Sequence, residues 1–257
     1  MEFLTANIVN TTTQIAVTSN MALAQNLFTR DKFQQYYTTG YNSDALASTI
    51  TITFAATTPV SRIALNGMNY KEFYFYYNGA TANSFALTNA DTSTSSYTGN
   101  ADTNKYFKFS TVQCSSITFV TTKTIAANQE KLLGLLSIMD LTVELEKIPN
   151  AQSYKPTISP KQVVHTLSDG GTRIHNVRSK WSSALKLEYV TTAQRDALYS
   201  LHTGGIPFNF CPFGTATGWD SILFEAVWPG AFDFFAYSDN AAASGFSGNV
   251  SLKETPT

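Results

Sequence analysis

The sequence predicts a mainly β protein that carries a single α-helix. Residues Thr49–Phe54 alternate hydroxyl and apolar side chains with a period of two, which is typical of a strand with one buried face. A second alternating run, Val60–Leu65, follows Pro59, which is expected to break the first strand. Phe73–Tyr77 is a dense aromatic segment that ends at a turn. Three strands without helical periodicity between them indicate an antiparallel sheet.

Composition limits the classes of partner that the protein can bind. The 257 residues suffice for one large β domain or two smaller ones. Charged residues make up 14% of the chain and the formal net charge is -1, so we expect neither nucleic acid nor an anionic membrane as a partner. The N-terminus lacks the pattern of a secretory leader, and no apolar run reaches membrane-spanning length. We therefore expect assembly in a cytoplasm and no membrane insertion.

The two cysteines, Cys114 and Cys211, lie far apart in the sequence. They do not form the spaced framework of a disulfide-rich protein. We expect two buried free thiols, with a single disulfide between domains as the alternative.

The N-terminal half contains a pattern of known type. Ala24–Asp31 has the form A-x-N-L-F-x-x-D, a loop of tyrosine and glycine follows at Tyr36–Tyr41, and alternating strands come next. This arrangement resembles the discoidin, or galactose-binding-like, jelly roll. The resemblance implies a β-sandwich jelly roll over residues 1–147, in which Leu27 and Phe28 are buried anchors and Asn26 and Asp31 bond to the backbone.

The remainder of this first domain is also expected to be β. Tyr106–Phe109 and Ser116–Val120 are predicted as two strands. Gln129–Met139 fits either a short helix or a buried return strand by its residues. The jelly-roll resemblance favours the strand. Residues 148–162 contain three prolines and are predicted to be a linker.

Residues 163–257 follow a different order of elements. Val163–Leu167 and Thr172–Val177 flank a Ser-Asp-Gly-Gly turn, which predicts a hairpin. The helix is predicted to begin after Thr191, with Gln194 completing a capping box, and to end at Gly204-Gly205. Further strands are expected at Leu185–Val190, Ile206–Phe213, Ile222–Trp228 and Phe246–Lys253.

Residues 160 to 255 contain W-x-x-x-L-K-L-E-Y from Trp181 to Tyr189, the helix sequence and the terminal G-N-V-S-L-K-E. With these features the segment resembles minor tail and distal tail proteins of long-tailed bacteriophages. The resemblance implies a β-barrel or split-sheet domain with one helix, in a non-enzymatic structural component of the virion tail. The implied partners are copies of the same chain in a ring and neighbouring tail proteins. The hairpin expected to pair between subunits contains Val163, His165, Asp169, Gly170, Gly171, Ile174 and His175.

No residue set indicates catalysis. The sequence lacks a nucleophile elbow, a phosphate loop and a zinc-protease motif. His165 and His175 are expected to face each other across the hairpin, but a zinc site would need two more ligands, so polar surface histidines are the simpler interpretation. Asp31, Asn42 and Asp44 could supply oxygens to a structural calcium ion, although turn capping explains Asp31 equally well. We predict no catalytic residues, no metal and no cofactor.

The alternative function is carbohydrate binding for host recognition. Tyrosines in or near loops can stack on sugar rings, or can be buried beneath those loops. The candidates for binding a glycan or a partner are Tyr36, Tyr37, Tyr41 and Tyr70. A hydrolase with acids on separate strands is a third hypothesis.

Overall fold

The computed structural model describes residues 1–30, 34–88, 93–145, 155–166, 168, 171–212, 223–236 and 245–255. Its strands, in chain order, are β1 (Glu2–Leu4), β2 (Ile15–Val17), β3 (Tyr36–Tyr37), β4 (Ser48–Asn66), β5 (Tyr70–Tyr77), β6 (Ser96–Tyr97), β7 (Asn104–Thr124), β8 (Leu132–Leu133), β9 (Leu135–Met139), β10 (Leu141–Glu144), β11 (Lys155–Thr166), β12 (Thr172–Val190), β13 (Phe208–Cys211), β14 (Phe224–Val227), β15 (Asp233–Ala236) and β16 (Phe246–Glu254). One α-helix, α1 (Thr192–Gly204), lies between β12 and β13. The predicted mainly β class with one α-helix is confirmed for the described residues.

The chain forms two compact units. The first is built on Leu4–Leu141, and the second on Met1–Phe3, Thr142–Gly214 and Phe224–Pro256. The predicted division at residues 147 and 163 remains a prediction. The structure adds that β1, at the start of the chain, lies in the same sheet as β13 and β16.

The first unit is organised around the pairing of its two longest strands, β4 and β7. Its main sheet has the order β2-β4-β7-β5-β6, with β9 paired to β4, and β3 pairs with β8 in a separate two-stranded sheet. Alternate residues of β5 point into an aromatic core, where the ring centroids of Phe75 and Phe107 lie 4.8 Å apart. The return strand expected within Gln129–Met139 is confirmed by β8 and β9.

Pro59 does not end a strand, contrary to the sequence-based expectation. Strand β4 is continuous from Ser48 to Asn66, and its register with β7 shifts on both sides of Pro59. In the described pairings β2 contacts β4 at Ile50–Ile52 and β9 contacts it from Arg62 onward, so Pro59 has a strand neighbour on one side only. Proline is tolerated at such edge positions of a sheet. The two strands expected at 106–109 and 116–120 are likewise one strand, β7.

The second unit is an eight-stranded sheet with a separate apolar core. Its order is β10-β1-β13-β14-β16-β12-β11, with β15 also paired to β16. Trp181 stacks on Phe224 with 4.2 Å between ring centroids, inside a core that also buries Phe3, Leu185 and Val250. Strand β15 was not expected from the sequence. It is a short segment without a clear alternating pattern, and three of its four residues are aromatic or small.

Helix α1 begins and ends where the sequence predicts. The Thr191 hydroxyl accepts a hydrogen bond from the Gln194 amide at 3.3 Å, and the Gln194 side chain accepts one from the Thr191 amide at 3.0 Å. Gly205 adopts φ +63 at the C-cap, a left-handed conformation that favours glycine. The capping box and the glycine stop are therefore confirmed.

The structure places part of the predicted linker in a strand. Residues 155–162 belong to β11 and pair with β12, while residues 148–154 lie outside the described residues. Pro156 and Pro160 are tolerated there because β11 is the last strand of its sheet, with one neighbour.

Candidate functional site

Strands β11 and β12 form a hairpin that continues past the sheet of the second unit. Strand β12 pairs with β11 from Thr172 to Ala184. Its pairing with β16 begins only at Ser182. Residues 159–166 and 172–180 therefore form a two-stranded ribbon without a third strand among the described residues. We call this ribbon the arm.

The end of the arm exposes apolar side chains on both of its faces. Successive side chains of a strand point to opposite faces. Val163 and Val164 are consecutive, and they are 38% and 58% exposed. Ile174, opposite Val164 in the register, is also 58% exposed. Among the described residues, both faces of the arm's end therefore carry apolar side chains that are at least partly exposed.

The structure positions most of the residues that were assigned to the assembly hairpin. Val163, His165, Ile174 and His175 lie on its paired strands, and Gly171 adjoins them, while Asp169 and Gly170 lie outside the described residues. The two histidines do not face each other: His165 pairs with Arg173, and His175 pairs with Val163. The sequence-based expectation was wrong by two residues. The pairs from Gln162–Asn176 to Thr166–Thr172 show no register shift, so the turn that follows Thr166 determines which residues lie opposite the histidines.

The four tyrosines proposed for glycan binding divide into buried and accessible residues. Tyr36 and Tyr70 lie in the core of the first unit, and their rings do not reach its surface. Desolvation raises the pKa of Tyr36 to about 12, and burial also raises the pKa of Tyr70. Tyr37 is 48% exposed, and Tyr41 is partly buried. Of the four, Tyr37 presents the largest exposed fraction.

Hydrogen bonds with Ser19 and Asn20 hold Tyr37 and Thr39 in place. The Asn20 side-chain amide donates to the Tyr37 carbonyl at 2.8 Å and to the Thr39 hydroxyl at 2.6 Å. The Thr39 backbone amide donates to the Ser19 hydroxyl at 3.0 Å. These contacts hold the Tyr37 backbone in place while its ring remains at the surface.

A buried lysine supports the same loop, and sequence reasoning did not identify it. Lys131 is 1% exposed, and its ammonium group donates to the carbonyl oxygens of Tyr41 at 2.5 Å and Ser43 at 2.8 Å. Burial lowers the pKa of Lys131, and attraction by Asp44 and Glu130 opposes that effect. In the sequence, Lys131 lies between Glu130 and Leu132, and nothing in that pattern indicates burial. The fold, and not the local sequence, buries its side chain.

The two carboxylates near Lys131 bind backbone amides. Glu130 accepts hydrogen bonds from the Thr38 hydroxyl and from the amides of Gly40 and Tyr41. Asp44 accepts from the amides of Thr124 and Asn128 and from the Thr124 hydroxyl. Burial alone would raise each pKa, but these hydrogen bonds outweigh it, so the pKa of both carboxyl groups lies below its usual value.

The described residues offer no group of three or more His, Cys, Asp and Glu side chains placed to bind a metal ion. Of the three residues considered for calcium, Asp31 lies outside the described residues, Asn42 is exposed, and Asp44 is bound to the backbone amides of Thr124 and Asn128. In the same loop, the carbonyl oxygens of Tyr41 and Ser43 accept hydrogen bonds from the Lys131 ammonium.

Both cysteines are buried and neither forms a disulfide, as expected. Burial raises the pKa of the Cys114 thiol to about 11. A thiol that does not ionise near neutral pH is a poor nucleophile.

No helix in the described part of the chain has the length and apolarity that a bilayer crossing requires.

Comparison with known proteins gives likenesses of structure alone. No protein-family profile matches the chain, and no curated protein sequence matches it. The structure is similar to chitosan-binding module 1 of a chitosanase/glucanase from Paenibacillus sp. IK-5, with 10% identity over 51% of this chain and 97% of the module and a TM-score of 0.39. Module 2 of the same enzyme, solved with chitotriose, gives 15% identity, coverage of 48% and 93%, and a TM-score of 0.36.

A third similar structure contains the CBM32-1, CBM32-2 and M60 catalytic domains of ZmpB from Clostridium perfringens. It gives 17% identity over 54% of this chain and 15% of that one, with a TM-score of 0.39. At these levels of similarity, function has to be argued from the residues of the chain itself.

Proposed function

We propose that this chain is a non-enzymatic structural protein that assembles with copies of itself through the arm, as a component of a bacteriophage tail. The observation that supports self-assembly is the arm, a two-stranded ribbon whose end exposes Val163, Val164 and Ile174. The assignment to a phage tail, and with it the virion location and the tail-protein partners, rests on the sequence resemblance of residues 160 to 255.

A ribbon of this kind is incomplete by itself. Two isolated strands are marginally stable in water, and they gain stability when a third strand or an apolar surface covers them. The outer edge of β11 offers backbone donors and acceptors for such a strand. Because Pro156 and Pro160 lack an amide proton, the half of β11 that offers a complete row of donors is Lys161–Thr166, at the end of the arm.

Sedimentation velocity of the full chain over a range of concentrations tests this proposal. We expect a monomer at low concentration and a discrete larger species at high concentration, visible as closed particles by negative-stain electron microscopy. In the matched variant the arm is shortened by joining Ser159 to Lys180 through an Asn-Gly turn, which retains a hairpin at an existing cross-strand pair. That variant should stay monomeric. A wild-type chain that remains monomeric throughout would reject the proposal, as would a shortened variant that assembles equally well.

The second candidate function is glycan binding by the first unit, and Tyr37 favours it. An exposed aromatic ring on a fixed backbone can stack on a sugar ring at little cost in conformational entropy. Chitosan binding is named for two of the similar solved structures, so chitosan oligosaccharides are the first probes to use. Isothermal titration with chitotriose should detect binding that Tyr37→Ala abolishes and that Tyr74→Ala, at a partly exposed site on β5, retains.

The two functions are separable because they use different units. A glycan array without hits for the full chain would reject the second candidate and leave the arm unaffected. Equal binding by the Tyr37→Ala variant would place any sugar site elsewhere.

A further inference from the structure

We infer that the ammonium group of Lys131 is a built-in cation that orders the loop after Tyr37, so that this loop needs no metal ion, and that removing the ammonium creates a site for a divalent cation. The inference rests on the polar atoms that surround one buried side chain. It is independent of the proposed function.

Backbone carbonyl oxygens face the Lys131 ammonium. Lys131 donates to two backbone carbonyls of one loop, those of Tyr41 and Ser43, at 2.5 and 2.8 Å. Carbonyl oxygens converging on one point with carboxylates close by are the kind of ligand that calcium prefers. Here a covalently attached cation already takes that position.

Two carboxylates belong to the residues around the ammonium. Glu130 precedes Lys131 in the chain and accepts hydrogen bonds from the amides of Gly40 and Tyr41, and Asp44 follows Ser43, whose carbonyl accepts a hydrogen bond from the ammonium. Two carboxylates and one ammonium give the cluster a charge of -1, whereas without the ammonium it would be -2. That charge suits a divalent cation better than a monovalent one.

Hydrogen bonds of the cluster join residues 38–44 to residues 124–131. The amide of Lys131 donates to the Thr38 hydroxyl at 2.9 Å, and the Thr38 hydroxyl in turn donates to Glu130 at 2.6 Å. The Asp44 carboxylate accepts hydrogen bonds from the amides of Thr124 and Asn128, and the Asp44 amide donates to the Asn128 side-chain oxygen at 3.1 Å. Residues 38–44 and 124–131 are therefore ordered as one body around the ammonium.

The test compares two lysine variants of the full chain. Lys131→Met removes the buried ammonium and keeps a chain of similar length. Lys123→Met is the matched control, because its ammonium binds Glu72 at 2.8 Å on the surface and 45% of its side chain is exposed. Thermal unfolding is followed in EDTA and in millimolar CaCl2, with MgCl2 as a control for cation size.

For the wild type we expect the same Tm in EDTA and in CaCl2. Lys131→Met should unfold at a lower temperature in EDTA and recover part of the loss in CaCl2, with less recovery in MgCl2. Lys123→Met should lose little and should not respond to calcium.

Four results would overturn the inference. One is a wild-type Tm that CaCl2 raises and EDTA lowers, since the loop would then use a metal ion as well. The second is a Lys131→Met variant as stable as the wild type, and the third is a loss of stability that calcium does not reverse. Where Lys131→Met fails to fold in EDTA, it is refolded from denaturant with and without CaCl2: calcium-dependent recovery supports the inference, and failure under both conditions is the fourth contrary result.

Discussion

Val164 and Ile174 lie opposite each other in the β11–β12 register, and 58% of each side chain is exposed. A cross-strand pair of β-branched residues stabilises a sheet when its side chains pack. At the end of a two-stranded ribbon, the same pair exposes apolar area that a partner can bury. This pair is therefore the most direct place to test self-association.

Ile174→Lys should weaken self-association about tenfold or more, because it places a strongly hydrated charge in an apolar contact. The sedimentation coefficient measured over a concentration series reports the change. Ile206→Lys, at a site that is 62% exposed and away from the arm in sequence, is the control and should associate as the wild type does. Equal association by both variants would show that the arm's apolar end is not the contact.

The elements predicted best from the sequence are those determined by a few neighbouring residues. The cap at Thr191, the stop at Gly205 and the hairpin between β11 and β12 follow from local backbone chemistry. The register of that hairpin was predicted less well, because it depends on the pair at which the turn closes, Thr166 and Thr172, and the turn sequence allows more than one closing pair. The local sequence pattern therefore predicted the position of the arm, but not which residues lie opposite its two histidines.

Thr191→Ala should lower the free energy of unfolding by about 1 kcal/mol, since it removes the side-chain oxygen that accepts the Gln194 amide proton. Urea unfolding monitored by circular dichroism measures the loss. Thr192→Ala is the control: it changes the same residue type one position later, inside the helix, where alanine is the better helix former. A cost for Thr192→Ala as large as that for Thr191→Ala would contradict the capping role.

Gly248→Ala should destabilise the protein by about 1–3 kcal/mol, because an added methyl group overpacks the contact between β15 and β16. A Cβ atom at Gly248 would lie 2.5 Å from the Asp233 carbonyl oxygen and 2.6 Å from the Phe234 ring. Gly99→Ala is the matched control, since its Cβ would meet nothing within 4 Å. Chemical denaturation measures both variants, and equal stability for the two would show that β15 does not pack as the structure describes.

Long-range features were beyond sequence analysis. Pro59 suggested the end of a strand, but only the arrangement of β2 and β9 along β4 shows that, in the described pairings, Pro59 has a strand neighbour on one side alone. Lys131 shows the same limit, because its buried position depends on carbonyls 88 and 90 residues away in the chain. Tyrosine is a residue type that often lines binding loops, but the fold places both Tyr36 and Tyr70 in the core.

The carboxyl groups of Asp44 and Glu130 should make stability fall in acid. Their folded-state pKa values lie below the usual values of about 4. A group with a depressed folded pKa stabilises the fold fully above its unfolded pKa, and that contribution is lost as the pH falls through the folded pKa. We therefore expect this contribution to be constant above about pH 5 and to decline below about pH 4.

Glu130→Gln tests this dependence. Urea unfolding at a series of pH values should show a shallower decline below pH about 4 for Glu130→Gln than for the wild type, because one of the responsible carboxylates is gone. Glu72→Gln removes a carboxylate whose partner, Lys123, lies on the surface, and the wild-type decline should persist in that variant. A Glu130→Gln profile that coincides with the wild type at every pH would mean that the hydrogen bonds from Thr38, Gly40 and Tyr41 do not hold this carboxylate in its charged form.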